Sequence, residues 1–235
     1  MFVSGQFVST MEKILALDCS IEQCSIALWL DDGIREQRTC TARHNAEELL
    51  TQIQQILISS GISSSELTAL AVGAGPGSFT GVRLATAVVQ GLALAWQLPV
   101  RPISSLGALV AAAEASGPQA VLAVVDARMG EVYAAWYDLQ HETLQVMAPE
   151  AVMPPDCLTR PVPVTDFAIV GNGYASYNEQ IVTAVGEPCT VLKENSLAVG
   201  VAILAARMGS AADRAPDRVE PIYVRNKVAL TSAEQ

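Results

Sequence analysis

Asp18, Ser20 and the loop Gly75-Pro76-Gly77-Ser78-Phe79-Thr80-Gly81 are the residues whose types and spacing could do chemistry. Asp18 ends a short apolar run, ILALD. If that run is a strand, the acid stands at its carboxyl end, where open sheets receive ligands. A carboxylate there could hold a metal-bound phosphate or a water. It could equally be a turn carboxylate that accepts the backbone N–H groups of Ser20 or Gln23. The loop lies between a buried-type strand, Leu67 to Gly73, and a small-residue helix, Gly81 to Trp96. Its glycines permit positive φ and close backbone approach. Thr80 is placed to cap the helix, whose free N–H groups suit an anion. Asp18, Gly75, Gly77 and Ser78 are thus a candidate phosphate cradle, although a rigid strand-to-helix turn has the same composition. No GxxxxGK[ST] run is present, and Arg83 is the one cation in reach of the loop.

Other chemistries are poorly supplied. The two histidines, His44 and His141, are far apart, and no HxxxH, HxE or paired CxxC spacing occurs. An ordinary zinc or iron site has no ligand set. No GxSxG nucleophile elbow is present. The five cysteines, Cys19, Cys24, Cys40, Cys157 and Cys189, are odd in number and sparse. They read as reduced, mostly buried thiols rather than a disulfide framework.

Elements that could position the cradle follow from the hydrophobic pattern. Ile14–Asp18, Cys24–Leu30 and Ile34–Thr41 read as three antiparallel strands, with Asp31-Asp32-Gly33 as a hairpin turn. From His44 to Ser59 the period changes: Ala46, Leu49, Leu50, Ile53, Ile56 and Leu57 recur at helical spacing, and Gly61 ends the helix. In the helix after the loop, Ala87, Gly91 and Ala95 form a small-residue stripe beside a second stripe of Ala85, Val88, Val89, Leu92 and Trp96. One stripe can face the sheet and the other can admit a partner helix closely. Burial of both inside one chain is the alternative. The second half repeats the plan: AVLAVVD (Ala120–Asp126) echoes ILALD, Glu131–Asp138 echoes Cys24–Leu30, and FAIVGNG (Phe167–Gly173) echoes LAVGAG (Leu70–Gly75). This pattern predicts a degenerate internal duplication. Leu197–Met208 reads as a further helix and Ile222–Val224 as a docking segment.

The bulk properties set the context. The 235 residues are 51% hydrophobic but only 16% charged, so some apolar surface is expected to be covered by a partner. A net charge of −10 opposes direct, tight binding to nucleic acid. Residues 1–10 lack a basic n-region and a long apolar h-region, and no apolar run reaches membrane-spanning length. A cytoplasmic protein with no membrane role is expected.

LALDCS (Leu15–Ser20), SIALW (Ser25–Trp29), AVGAGPGSFTGVRLATAVVQGLAL (Ala71–Leu94), VDARMGEVYAAWY (Val125–Tyr137), VGNGY (Val170–Tyr174) and EPIYVRNKVA (Glu220–Ala229) together carry a family resemblance. The chain resembles the TsaB, or YeaZ, family of bacterial accessory proteins for threonylcarbamoyladenosine synthesis in tRNA. The resemblance implies an α/β, actin-like fold of the ribonuclease H-like class, with two related subdomains, each a mixed sheet flanked by helices. Boundaries at 11–104 and 105–220 follow, with a docking segment and tail at 221–235. It implies no catalytic residue and no metal in this chain, and a vestigial loop that binds ATP or ADP weakly or not at all. It also implies a heterodimer with a TsaD-like catalytic paralogue that transfers the threonylcarbamoyl group, and an assembly joined by a TsaE-like ATPase. A homodimer is expected when the chain is alone, and contact with tRNA only through the complex. The implied contact residues are Ala46, Leu49, Leu50 and Ile53 on one helix, with Arg83, Ala87, Gly91 and Ala95 on the next. The other reading kept open is a stand-alone actin-like ATP-dependent phosphotransferase using Asp18 and the Gly75–Gly81 loop. A hydrolase reading has no residues to support it.

Overall fold

The computed structural model describes residues 12–21, 23–31, 33–40, 45–113, 118–139, 144–193 and 195–224. Apolar runs at the start of the chain form β1 (Glu12–Asp18), β2 (Cys24–Asp31) and β3 (Gly33–Cys40), which pair antiparallel as expected. β4 (Ala69–Gly73) and β5 (Val100–Ile103) add in parallel, giving the order β3-β2-β1-β4-β5. A second sheet contains β6 (Ala120–Arg128), β7 (Glu131–Asp138), β8 (Gln145–Met153), β9 (Phe167–Val170) and β10 (Thr190–Val191) in the order β10-β9-β6-β7-β8. Its strand senses match those of the first sheet. The duplication is therefore one of topology, and the molecule has the actin-like two-subdomain architecture.

Register corrects one detail of that duplication. Leu17 pairs with Val72, and Ala123 pairs with Val170. The residue following each is Asp18 in the first half and Val124 in the second. Asp126 is therefore two residues beyond the counterpart of Asp18, because β6 runs further before its turn.

Alternate residues face opposite layers. On β1, Leu15 and Leu17 join the core beneath α1 (Ala46–Ser60) and α2 (Phe79–Trp96), whereas Ile14 and Ala16 face α5 (Leu197–Met208). On β6, Val121 and Ala123 pack with α3 (Ser105–Ala112), and Leu122 and Val124 pack with Trp136, Phe167 and Ile181, the last from α4 (Asn172–Val185). α3 and α5 lie against each other between the sheets. A Cβ on Gly200 of α5 would run into the Ala108 carbonyl of α3, so the small residue sets that close crossing. β5 contributes Arg101, buried, whose Nε donates to Asp213 Oδ1 at 2.6 Å, Nη2 to Glu12 Oε1 at 3.1 Å and Nη1 to the Ala205 carbonyl at 3.1 Å.

Two helix starts differ from expectation. Asn45 caps α1, its side chain accepting from the N–H groups of Glu47 and Glu48; His44, the expected start, lies outside the described residues. α2 begins at Phe79 rather than Gly81, and Ser78 rather than Thr80 is its cap. Ser78 has non-helical backbone while Thr80 is already helical, so it is the Ser78 hydroxyl that accepts the Gly81 N–H, at 3.3 Å. Among the described residues α2 is the one helix long and apolar enough to cross a bilayer, yet Val82, Ala85, Val89 and Ala93 along it are buried within the fold.

The cysteines also differ. Cys19 and Cys24 are joined as a disulfide, and Cys157 and Cys189 are exposed free thiols rather than buried ones. The β1–β2 register explains the first pair: Asp18 faces Ser25, which leaves Cys19 and Cys24 as the next positions across the hairpin. The side chain of Cys40 lies outside the described residues.

Candidate functional site

Asp18 is fully buried at the end of β1. Its Oδ1 accepts the Ser20 N–H at 2.8 Å and the Ser20 hydroxyl at 2.7 Å. Its Oδ2 accepts the Ser105 hydroxyl at 3.1 Å, and the Ser105 oxygen in turn accepts the Gly75 N–H at 3.2 Å. Burial pushes the Asp18 carboxyl above the ordinary carboxylate range, and the Ser20 and Ser105 hydrogen bonds oppose that push. Beside it, a Cβ on Gly73 would occupy the position of Asp18 Oδ2. Oδ1 is thus taken up by Ser20 of its own turn and Oδ2 by Ser105 at the start of α3, which links the acid to Gly75 of the loop.

The loop closes over this acid. The Ser78 N–H donates to the Ser20 carbonyl at 2.7 Å, and the Ser105 N–H donates to the Gly75 carbonyl at 2.8 Å. Gly75 has φ +103°, which a side chain would strain. A Cβ on Gly77 would strike Ser20. The C-terminal segment covers the outer side. The Ile222 N–H donates to the Ala74 carbonyl at 2.6 Å, and Gln90 of α2 donates to the carbonyls of Pro216 and Val219.

Between the subdomains lies a cleft of about 410 Å³. Gly77 and Ser78 line it; Asp18 and Gly75 stand behind its wall. The carboxylate at the cavity is Asp126. Its Oδ1 accepts the Arg128 N–H at 2.8 Å and the Tyr177 hydroxyl at 3.2 Å, and Arg128 Nη1 reaches Oδ2 at 3.3 Å. Asn172 Oδ1 accepts the Asp126 N–H at 3.0 Å. Opposite, Phe79 and Tyr223 line the wall. Arg83 lies over the Phe79 ring at 3.1 Å from its centroid and 5.2 Å from that of Tyr223. Phe79 belongs to the glycine loop read from the sequence, whereas Asp126, Arg128, Asn172 and Tyr223 are site residues that the sequence reading does not name as such. The echo of ILALD by AVLAVVD was the signal that pointed to Asp126.

The implied contact residues divide in two. Leu49 and Ile53 are core: they are 0% and 2% exposed and pack on the first sheet, so they cannot be contact residues without unfolding α1. The reason is the helical period, which puts them on the same stripe as Ile56 and Leu57. Ala46 and Leu50 lie on the exposed side of α1. On α2, Arg83, Ala87, Gly91 and Ala95 are all exposed, together with Leu94 at 76%. Nothing lies within 4 Å of a Cβ built on Gly91. Among the described residues no group of three or more His, Cys, Asp and Glu side chains is gathered.

A profile of the family described as "TsaD: tRNA N6-adenosine threonylcarbamoyltransferase" matches residues 37–227. The tRNA threonylcarbamoyladenosine biosynthesis protein TsaB of Escherichia coli is 34% identical over 228 residues, covering 92% of this chain and 96% of that protein. The Haemophilus influenzae TsaB is 45% identical over 121 residues, 51% of each chain. The solved structure of YeaZ from Pseudomonas aeruginosa superposes with a TM-score of 0.81 at 34% identity, covering 91% of this chain and all of that one. Sequence relatedness along the chain and a shared fold agree: the chain belongs to the TsaB, or YeaZ, family.

Proposed function

We propose that this protein is a non-catalytic accessory subunit in threonylcarbamoyl transfer to the adenosine beside the anticodon of tRNAs. In this reading it forms a heterodimer with a TsaD-like catalytic paralogue and receives a TsaE-like ATPase. The observation that carries it is the outer face of α2. Arg83, Ala87, Gly91, Leu94 and Ala95 leave a long, low-relief, mostly apolar surface uncovered on a helix whose other face is core. Small side chains let a partner helix approach closely, and an exposed stripe of this kind marks a contact surface. Leu50 and Ala46 of α1 extend it. Without the partner the same face supports a homodimer. The net charge of −10 leaves contact with tRNA to the partner.

The Asp18 geometry supports the non-catalytic part. Its oxygens serve Ser20 and Ser105, so the cleft takes ATP or ADP weakly or not at all. Calorimetric titration with millimolar ATP checks this directly.

The deciding experiment is threonylcarbamoyl transfer to tRNA in a reconstituted mixture, run with the partner alone, this chain alone, and both. Activity confined to the mixture is expected. Gly91→Arg, which meets open space in this chain, is expected to keep the wild-type melting temperature and lose both co-purification and stimulation. Unchanged co-purification would remove α2 from the interface, and transfer by this chain alone would end the accessory reading.

A further inference from the structure

We propose that the cleft binds an unphosphorylated heteroaromatic ring that carries an amine beside a ring nitrogen, as adenosine does. Asp126 and Asn172 read that edge, and Phe79 and Tyr223 supply the stacking surface.

The polar wall sets the edge. Asp126 Oδ1 is occupied by the Arg128 N–H and the Tyr177 hydroxyl. Among the described residues Oδ2 meets only Arg128 Nη1, at 3.3 Å, and the Arg128 side chain is 74% exposed. So open an ion pair is weak, which leaves Oδ2 as an acceptor for a ligand. Asn172 stands beside it, its Oδ1 accepting the Asp126 N–H at 3.0 Å. That bond commits the oxygen end of the amide, so the NH2 end is the one left to donate. An acceptor next to a donor is the complement of an amine next to a ring nitrogen.

The facing wall suits a ring. Phe79 and Tyr223 both line the cleft and are 56% and 55% exposed. Arg83 covers one face of the Phe79 ring, at 3.1 Å from its centroid. Aromatic side chains left open on a cavity wall stack with any nucleobase, because every base has a π-face. Ile21, Val82, Val125 and Ile222 make the rest of the lining apolar, in a volume of about 410 Å³.

Phosphates are poorly served in the same place. Loop N–H groups that an anion would need are used inside the protein: Gly75 on the Ser105 hydroxyl, Ser78 on the Ser20 carbonyl and Gly81 on the Ser78 hydroxyl. Asp126 adds a negative charge at the wall of a chain that carries −10 overall. The inference does not depend on the proposed partner.

Calorimetric titration of the full chain with adenosine, inosine, AMP, ATP and a short oligoadenylate tests this. Saturable binding of adenosine with a Kd below about 1 mM is expected. Inosine has a carbonyl in place of the amine and an N–H in place of the ring acceptor, so it should bind at least about tenfold more weakly. AMP, ATP and the oligoadenylate should all bind more weakly than adenosine, which separates a free nucleoside from a base held in RNA. Tyr223→Ala, at an exposed position, should keep the wild-type Tm and weaken adenosine binding about tenfold. No saturation at millimolar adenosine, equal affinity for inosine, or tighter binding of any phosphorylated probe would overturn the proposal. So would a Tyr223→Ala chain that binds adenosine as the wild type does. The ligand series on the wild-type chain decides the matter even if that variant does not fold.

Discussion

The carbonyl oxygen of Ser20 accepts the N–H of Ser78 at 2.7 Å, although the two residues lie on different loops. That bond joins the first turn of the first sheet to the cap of α2. Asp18, below, holds the same turn through Ser20 and reaches the start of α3 through Ser105. The glycine loop is thereby fixed from both sides, and the helix that carries the proposed contact face inherits that rigidity.

Gly77 and Gly91 should respond oppositely to alanine. A Cβ on Gly77 strikes Ser20, whereas one on Gly91 meets nothing within 4 Å. Gly77→Ala is expected to cost about 1–3 kcal/mol from overpacking. Gly91→Ala, in mid-helix, is expected to gain up to about 1 kcal/mol. Urea melts of the two variants compare them directly, and effects of the same sign would contradict the loop geometry.

Adjacent leucines on α1 separate core from surface. Leu49 is 0% exposed and Leu50 is 45% exposed. Leu49→Ala should cost about 2–5 kcal/mol, the usual range for a buried leucine. Leu50→Ala should cost no more than about 0.5 kcal/mol and instead weaken partner binding. Chemical denaturation alongside a pull-down reads both effects; a Leu50 variant as unstable as the Leu49 variant would place both in the core.

Glu150 should make stability depend on pH. Burial pushes its carboxyl above the ordinary range, against the lowering effect of hydrogen bonds from the Ser104 and Tyr137 hydroxyls. A folded-state pKa above the unfolded value means the fold prefers the protonated form. The stabilisation is therefore complete below the unfolded pKa and is lost as pH rises toward the raised value. Asp18 acts in the same sense. Wild-type stability relative to Glu150→Gln should fall as pH rises above about 4.5. Denaturation midpoints of both chains across that window give the difference, and a rise with pH would reverse the assigned sign.

Arg101 should tolerate no apolar replacement. Its buried guanidinium holds Glu12 of β1, Asp213 and the Ala205 carbonyl of α5 together. Arg101→Met leaves two carboxylates without their partner. Because the Asp213 side chain keeps 28% exposure, the expected cost is near the lower end for a broken buried pair, about 3 kcal/mol. A loss under about 1 kcal/mol in a thermal melt would show the network to be dispensable.

Much of the fold was legible in local pattern. The alternating and continuous apolar runs of β1, β2, β4 and β6 mark buried strands, and the Ala46–Leu57 period marks α1. β8 was not legible: it is an edge strand, only partly buried, and carries Pro149, so it lacks the apolar run that marks the central strands. The cap of α2 escaped because Ser78 and Thr80 have equal claims by composition, and only backbone direction separates them. The cleft was half legible. Gly77 and Ser78 stand in it, but Asp18 does not, because residue type alone cannot distinguish an acid facing a cavity from one folded back on its own turn.

By itself, the sequence determined the central strands, α1, α2 and α5, their duplicated order, the glycine loop and the family to which the chain belongs, since these rest on side-chain volume, periodicity and chain geometry that act locally. Tertiary structure alone decided which acid faces the cleft, which leucine of α1 faces out, and which two cysteines meet. The acid and the cysteines depend on strand register, where a shift of one residue turns a side chain to the opposite face, and the leucines depend on which stripe of α1 the first sheet covers.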